Sequence, residues 1–340
     1  MYTEAEKNRI RKDFTDKFSN TEVITAMPTP MLPPRNKDLN GTVDYEAAEL
    51  LVRRLQKQGA DGILIGGSTG EEAMMSREEK RLLVKTVRKE ITSRSGQRTM
   101  KLLVGTGCTS TKETIEETKW AARIGADAAL VIVPPQVKPN NDGQIFHFSA
   151  VAKAVPDLPI IIYNIPSRTG VNMKPEIVAE IAQRNPNVIG IKQSFADMEQ
   201  VKQLKTLCPK DFLIYSGDDD LTLEMLKRGA HGVISVASNI DNATIKRMVV
   251  AQKSGRPKEA NQLNYILTPL YKACFVTTNP IPVKHLLAEH IAPWMTSTLR
   301  PPMTPMNPQD HEKMNELYEV YLENKNPAMM LLLMRDTQHV

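Results

Sequence analysis

Short apolar segments recur at regular intervals along the first three quarters of the chain. Eight of them are continuous runs rich in Val, Ile and Leu that do not alternate with polar residues: EVITAM (22–27), GILIGG (62–67), KLLVGTG (101–107), AALVIVP (128–134), PIIIYNI (159–165), VIGIKQ (188–193), FLIYSG (212–217) and GVISVA (232–237). Strands that are buried on both faces of a parallel sheet have this pattern. The chain therefore predicts eight parallel strands.

Helical patterns lie between these strands. Six segments carry apolar residues three and four positions apart: 45–59, 76–91, 111–125, 174–185, 197–208 and 222–232. Ser76 and Glu79 form the sequence signature of a capping box, and several of the segments end near a glycine, as helix C-termini do. Eight strands alternating with helices predict an α/β fold, a (β/α)8 TIM barrel. A doubly wound open sheet is the alternative, and the count of eight disfavours it.

The pattern changes near residue 256, beyond which it is helical only. Three helical segments, separated by proline-rich turns, follow at 259–275, 281–291 and 307–323. We therefore predict a leader helix at 1–21, a catalytic barrel at 22–255 and a C-terminal helical appendage at 256–340. For the final segment, MMLLLMRDTQHV (329–340), docking on a second copy and fraying both stay open.

Composition and charge exclude several classes of protein. The 340 residues carry a net charge of +5 with no block of like charge, so we expect no nucleic-acid partner. No apolar run reaches the roughly 18 residues of a membrane span, and the N-terminus has no apolar signal core. The three cysteines are far apart and form no metal-binding motif, which fits a reducing compartment and a cytoplasmic location.

Candidate chemistry is sought where the strands of the barrel end, because barrel enzymes build their sites there. The second strand ends in GGSTGEE (66–72), whose glycines let backbone amides approach a ligand while Ser68 and Thr69 add hydroxyls. Such a loop suits a carboxylate or a phosphate, and a tight turn with incidental hydroxyls is equally compatible. It has neither the Walker nor the GxGxxG pattern of a nucleotide site.

Two further strand ends carry reactive side chains. The fifth ends in YNIPSRTG (163–170), where the Tyr163 phenol suits proton transfer and Arg168 suits a bidentate contact to a carboxylate. The sixth ends in GIKQS (190–194), where Lys192 closes an apolar strand. Burial favours a neutral amine, which attacks carbonyls to form an imine. The alternatives are a core tyrosine beside a surface arginine and a lysine that reaches out to water.

No metal site is predicted. The three aspartates of SGDDD (216–220) are interpreted as a helix N-terminal cap. The six histidines lie away from every predicted strand end, so we expect structural or surface roles for His147, His231, His285, His290, His311 and His339. The sequence has no metal or nucleotide motif. Its strand ends carry a lysine, a tyrosine, paired hydroxyls and an arginine, and this set predicts imine chemistry on a keto acid.

A set of motifs in order resembles the dihydrodipicolinate synthase / N-acetylneuraminate lyase family, over about residues 22–315: GGSTGE, YNIPSRTG, GIKQS, SGDDD, GVISVASN and NPIPVKH. Its members are pyruvate-dependent class I aldolases on a (β/α)8 barrel with a helical appendage. RTG and NPIPVK are most similar to the synthase branch, which condenses pyruvate with aspartate semialdehyde in lysine biosynthesis. The resemblance implies small-molecule substrates, no cofactor and a homo-oligomer, either a dimer or a tetramer.

The resemblance also implies roles for seven residues around one pocket. Lys192 forms the imine, Tyr163 and Ser68 relay protons, Thr69 joins Ser68 at the pyruvate carboxylate, Arg168 receives the second substrate's carboxylate, and the backbone of Gly217 and Ile234 lines the pocket.

Departures from the family pattern keep other functions open. Ser68 replaces a threonine that is usual in the synthase, and Pro135 and Gln136 stand where the fourth strand normally ends in two tyrosines. Glutamine cannot exchange a proton near neutral pH, and losing one relay member costs about 10²–10⁴ in rate. The alternatives are an aldolase for a deoxy sugar acid or neuraminate and a weakly active keto-acid-binding homologue. With Arg77 and Lys80 in place of two histidines, the resemblance also implies weaker inhibition by lysine.

Overall fold

Eight parallel strands close into a barrel in the computed structural model, which describes residues 3–34, 41–93 and 95–336. The strands follow one another around the ring in chain order: β1 (Val23–Ala26), β4 (Gly62–Ile65), β5 (Lys101–Gly105), β6 (Ala128–Ile132), β7 (Ile160–Asn164), β8 (Val188–Gln193), β9 (Leu213–Ser216) and β10 (Gly232–Ser235). A short antiparallel pair, β2 (Met31–Leu32) and β3 (Thr42–Val43), lies between β1 and β4 in the chain. The predicted barrel is confirmed, and the open sheet is excluded.

Helices alternate with these strands and continue beyond them: α1 (Glu4–Asp16), α2 (Tyr45–Lys57), α3 (Arg77–Glu90), α4 (Thr111–Arg123), α5 (Asn141–Ala154), α6 (Pro166–Thr169), α7 (Pro175–Arg184), α8 (Met198–Leu207), α9 (Thr222–Leu226), α10 (Ser238–Lys253), α11 (Pro257–Cys274), α12 (Ile281–Leu286) and α13 (Pro308–Asp336). The predicted capping box is present at Ser76 and Glu79. The apolar pattern does not reveal α5, because Gln144 and His147 occupy part of its buried face.

The apolar core has two parts. One lies between the barrel and its helices, and the other fills the lumen with side chains such as Leu64, Leu130 and Ile161. Phe18, which follows α1 and is 1% exposed, packs with the lumen residues. Since Phe18 precedes β1, it closes the barrel at the end opposite to the loops that follow the strands.

The C-terminal helices pack on one another and on the barrel. Helix α11 packs between α10 and α13. Helix α13 is anchored at Asp241, which accepts hydrogen bonds from Tyr321 at 2.5 Å and from Lys325 at 2.8 Å. The helix continues to Asp336, so the end of the 329–340 segment lies outside the described residues. Its docking or fraying, and the division at residues 21 and 255, stay predictions.

Within the described part of the chain, no helix combines the length and the apolar character that a membrane span requires.

Candidate active site

An irregularity in β8 determines which way Lys192 points. The pairing of β7 with β8 runs from Ile160 opposite Val188 to Ile161 opposite Gly190, so one residue of β8 is extra. A bulge of this kind shifts the inward and outward alternation of every following residue. As a result Lys192 pairs with Tyr163, and both side chains face the lumen.

The side chain of Lys192 is buried at the end of the lumen. It is 5% exposed, and its Nζ lies 4.4 Å from the centre of the Tyr163 ring. A Cβ built on Gly217 would lie 1.8 Å from Ser194 Oγ and 3.0 Å from Lys192 Cε, so a larger residue would collide with the serine and crowd the lysine. Ser194 carries a buried hydroxyl with no hydrogen-bond partner, next to the lysine, and sequence reasoning assigned it no role.

The aspartates after β9 contribute charge near the lysine. Burial raises the pKa of Asp218 to about 6, and the positive charge of Lys192 opposes this shift. Asp219 is buried and accepts hydrogen bonds from Ser235 Oγ and from the backbone amides of Val236 and Ala237. The prediction that these aspartates cap the next helix is therefore wrong, because the N-terminus of α9 has no side-chain cap. Asp219 instead binds the turn before α10.

The glycine-rich loop after β4 presents its hydroxyls at the same end of the barrel. Ser68 and Thr69 lie in a short 3-10 turn, with Ser68 half-buried and Thr69 buried. Thr69 Oγ1 accepts a hydrogen bond from Asn279 Nδ2 at 3.0 Å, and the Asn279 carbonyl accepts one from Arg168 at 3.1 Å. Asn279 thus joins the two predicted acid-binding residues. Sequence reasoning gave it no role, although it begins the NPIPVKH motif.

A buried ion pair holds this loop to the C-terminal region. Glu71 adopts a left-handed backbone with φ of 58° directly after the turn. Its carboxylate lies 2.5 Å from Lys284 Nζ and accepts a hydrogen bond from the Arg300 backbone amide at 2.9 Å. The Glu71 and Lys284 side chains are both fully buried. Burial lowers the pKa of Lys284, and the charge of Glu71 partly offsets this effect.

The seven predicted site residues differ in how closely the structure brings them together. Lys192, Tyr163 and Gly217 meet directly, and Ile234 lies in the same lumen cluster as Tyr163. Thr69 and Arg168 are linked only through Asn279, and Ser68 shares their edge of the barrel. Gln136 is different, because within this single chain it is exposed, on a turn with φ of 70°. The geometry suits a buried amine at the end of the lumen, with the hydroxyl and guanidinium groups of neighbouring loops at the same end of the barrel.

The amino-acid sequence was compared with family profiles and with known proteins, and both comparisons point to one family. A profile of the dihydrodipicolinate synthetase family matches residues 19–320. The 4-hydroxy-tetrahydrodipicolinate synthase of Parasynechococcus marenigrum is 43% identical over 284 residues, which are 84% of this chain and 89% of that protein.

Solved structures agree with this match. The synthase of Methylacidiphilum fumariolicum SolV has a TM-score of 0.85 and 36% identity, covering 92% of this chain and 99% of its own. The enzyme of Cyanidioschyzon merolae, solved with lysine bound, has a TM-score of 0.82 and 35% identity, covering 89% and 98%. The barrel, the buried lysine and these relatives lead to one conclusion: the chain belongs to the dihydrodipicolinate synthetase family.

Proposed function

We propose that this chain, a pyruvate-dependent aldolase-type synthase of lysine biosynthesis, condenses pyruvate with aspartate semialdehyde through an imine on Lys192. The observation that carries the proposal is the amine of Lys192, buried in contact with Tyr163 at the end of the lumen. The product is 4-hydroxy-tetrahydrodipicolinate, and the enzyme is a lyase.

The site supports a sequence of simple steps. The Lys192 amine attacks the keto carbon of pyruvate, and loss of water leaves an imine. Ser68 and Thr69 hold the pyruvate carboxylate, while Tyr163 with Ser68 moves protons to and from the departing oxygen. A proton then leaves the methyl group, and the resulting enamine carbon attacks the aldehyde, whose oxygen takes up a proton. The amino group of the second substrate then adds to the imine carbon and displaces Lys192, which closes the ring of the product and frees the lysine. Arg168, exposed at the rim, holds the carboxylate of that second substrate.

The first step is tested by trapping the imine. Full-length protein is incubated with pyruvate and borohydride, and the reduced adduct is located by mass spectrometry. We expect one adduct per chain on Lys192, none in Lys192→Ala, and turnover of aspartate semialdehyde in a coupled assay. An unmodified Lys192 in active protein would refute the assignment.

The turn that carries Gln136 favours a second function within the family. A deoxy sugar acid or neuraminate would also form the imine, and Ser68 with the altered 133–137 segment motivates this candidate. A substrate panel decides between the two. Turnover of aspartate semialdehyde well above that of every sugar acid eliminates the second function.

The same turn bears on catalytic rate and assembly. We infer a homo-oligomer, a dimer or a tetramer, in which Gln136 and the 57% exposed Val137 meet a second copy.

Replacing Gln136 with Tyr restores a relay hydroxyl and is expected to raise kcat by about 10²-fold if the chain lacks only that group. Sedimentation of both forms checks the assembly. A fully active wild type with no gain in the variant would exclude Gln136 as the limiting group, and a wild type with little turnover and no gain would favour a keto-acid-binding homologue.

Weak inhibition by lysine is proposed from α3. Lys80 is buried and pairs with Glu72 at 2.8 Å and Glu117 at 3.4 Å, while Arg77 pairs with Glu113 at 2.8 Å. These cations already occupy the nearby carboxylates and would repel the ammonium groups of a lysine ligand. Titration of lysine into the coupled assay is expected to leave the rate unchanged, and sub-millimolar inhibition would contradict this reading.

A cytoplasmic location is proposed from the cysteines. Cys108, Cys208 and Cys274 are all free thiols, and two of them are buried. Burial raises the pKa of Cys208 to about 12, which keeps that thiol protonated and unreactive. Free thiols of this kind fit a reducing compartment. Imaging of a fluorescent fusion tests the location.

A further inference from the structure

Three potential metal ligands meet on the C-terminal helices, away from the barrel pocket. His285 lies on α12, Glu289 lies one turn later in a π-helical segment (Leu287–Ile291), and His311 lies in the first turn of α13. One ligand atom from each lies within 4.8 Å of the other two. The chain thus brings two imidazoles and a carboxylate together from positions 26 residues apart in sequence.

The distances are close to those of a bound metal ion. Glu289 Oε1 lies 3.1 Å from His285 Nδ1 and 2.9 Å from His311 Nε2. Tetrahedral zinc with bonds of about 2.0–2.1 Å has neighbouring ligand atoms roughly 3.4 Å apart. The two distances to Glu289 need to change by only a few tenths of an ångström, and the ligand atoms of the two histidines lie within 4.8 Å of each other.

The chemistry of the donors selects the ion. Two imidazoles and one carboxylate suit Zn²⁺, Co²⁺, Ni²⁺ or Cu²⁺, whereas Mg²⁺ and Ca²⁺ prefer oxygen ligands alone. His285 is 8% exposed, while Glu289 is exposed and His311 half-exposed. One wall of the cluster is therefore fixed in the core and the other is open, which leaves a fourth coordination position to water.

The local backbone supports a site built for a ligand. Glu289 lies in a π-helical segment, an insertion that is rare and frequent at functional sites. His290, the next residue, points to Asn315 of α13 instead of towards the cluster. The Glu289 carboxylate lies between the two imidazoles, within hydrogen-bond distance of both.

We propose that His285, Glu289 and His311 form a divalent transition-metal site that fastens α13 to the α12 segment. The ion would replace the two protons that the imidazoles now share with Glu289. Because α13 also carries Tyr321 and Lys325, which bind Asp241 of α10, the metal would strengthen the attachment of the whole appendage to the barrel.

The test uses full-length protein freed of metal with a chelator and then dialysed. Zn²⁺ is titrated by calorimetry, and Co²⁺ is followed by its visible absorption. We expect one equivalent per chain, a tetrahedral Co²⁺ spectrum and a Tm that rises by several degrees with Zn²⁺. Glu289→Gln and His311→Gln are each expected to weaken binding at least tenfold and to remove the Tm shift.

His290→Gln is the matched control. It removes a histidine that lies next to Glu289 and contacts Asn315 of α13 but does not contribute to the cluster. It should bind Zn²⁺ as the wild type does. The proposal fails if the wild type takes up no stoichiometric metal, or if His311→Gln binds as tightly as wild type. In either case the three residues form a hydrogen-bonded clasp only.

Discussion

At the scale of single residues, the position of the Lys192 amine depends on the space that neighbouring residues leave around it. Lys192 lies in an apolar lumen because a bulge in β8 points it inward, and Gly190 permits that bulge since a Cβ there would lie 2.5 Å from the Leu213 carbonyl oxygen. Gly217 then leaves space for Ser194 and for the lysine side chain on the β9 side. Two glycines with no chemistry of their own thus help to position Lys192, the proposed nucleophile.

Gly217→Ala tests this dependence. Its Cβ would displace Lys192 Cε, and a displacement of about 1 Å at a reacting group costs on the order of 10²-fold in rate. We expect kcat/KM for pyruvate and the rate of borohydride trapping to fall together. Ser194→Ala and the double variant serve as controls, because they remove the hydroxyl that lies 1.8 Å from the new methyl group. Full recovery in the double variant would show that Ser194, and not the lysine, is the group displaced.

At the scale of elements, the loop after β4 is positioned from far along the chain. Its turn holds Thr69, the residue proposed to bind the substrate acid, and Glu71 at its end is bound to Lys284 and to the backbone of Arg300. Both residues lie in the C-terminal helical region, so contacts made by that region help to position the loop after β4.

Breaking the ion pair is expected to affect stability and substrate binding together. Glu71→Gln leaves the Lys284 ammonium buried without its partner, which costs about 3–5 kcal/mol of unfolding free energy. The pyruvate KM should rise more than kcat falls, since Thr69 loses its support. Urea unfolding and steady-state kinetics measure the two effects. The double variant Glu71→Gln/Lys284→Met removes both charges and should regain part of the stability; if it is no more stable than the single variant, the pair has another role.

Comparison of sequence with structure is informative at this same scale. Continuous Val, Ile and Leu runs predicted all eight barrel strands, because strands buried on both faces need no alternation. Lys192 and Tyr163 were singled out from their positions at strand ends, and Gly217 from the family resemblance; the structure brings the three together. Asn279 and Glu71 were not assigned roles, since their contacts join segments some 210 residues apart. The cluster of His285, Glu289 and His311 was not recognised for a similar reason, as no spacing rule connects His311 with His285.

At the scale of the whole molecule, buried histidines link stability to pH. His147 is 2% exposed on α5, where its Nδ1 lies 2.9 Å from the Thr111 hydroxyl on α4. Burial lowers the pKa of its imidazole to about 4, and that of His231 falls to about 4 for the same main reason. Both rings are neutral in the folded chain and take up protons readily once it unfolds.

Acid should therefore destabilise the fold well above the range where carboxylates titrate. The pKa of each of these two histidines in the folded chain lies below the unfolded value of about 6.5. Their contribution to the free energy of unfolding is therefore complete above pH 6.5 and is lost as pH falls towards 4. The loss for His147 is about 3 kcal/mol over that range. Urea unfolding at several pH values should show the decline, with a shallower slope for His147→Asn and an unchanged slope for the exposed His290→Asn. Identical slopes in all three proteins would show that His147 is not the source.

The plug at Phe18 has a consequence for the order of events in catalysis. The lumen is filled with side chains and closed by Phe18, so it offers no route to Lys192 from the amino-terminal ends of the strands. Both reactants of a condensation on that amine would therefore enter from the opposite end of the barrel. The reactant that forms the imine would have to bind first, because the second reactant would then lie between the amine and solvent.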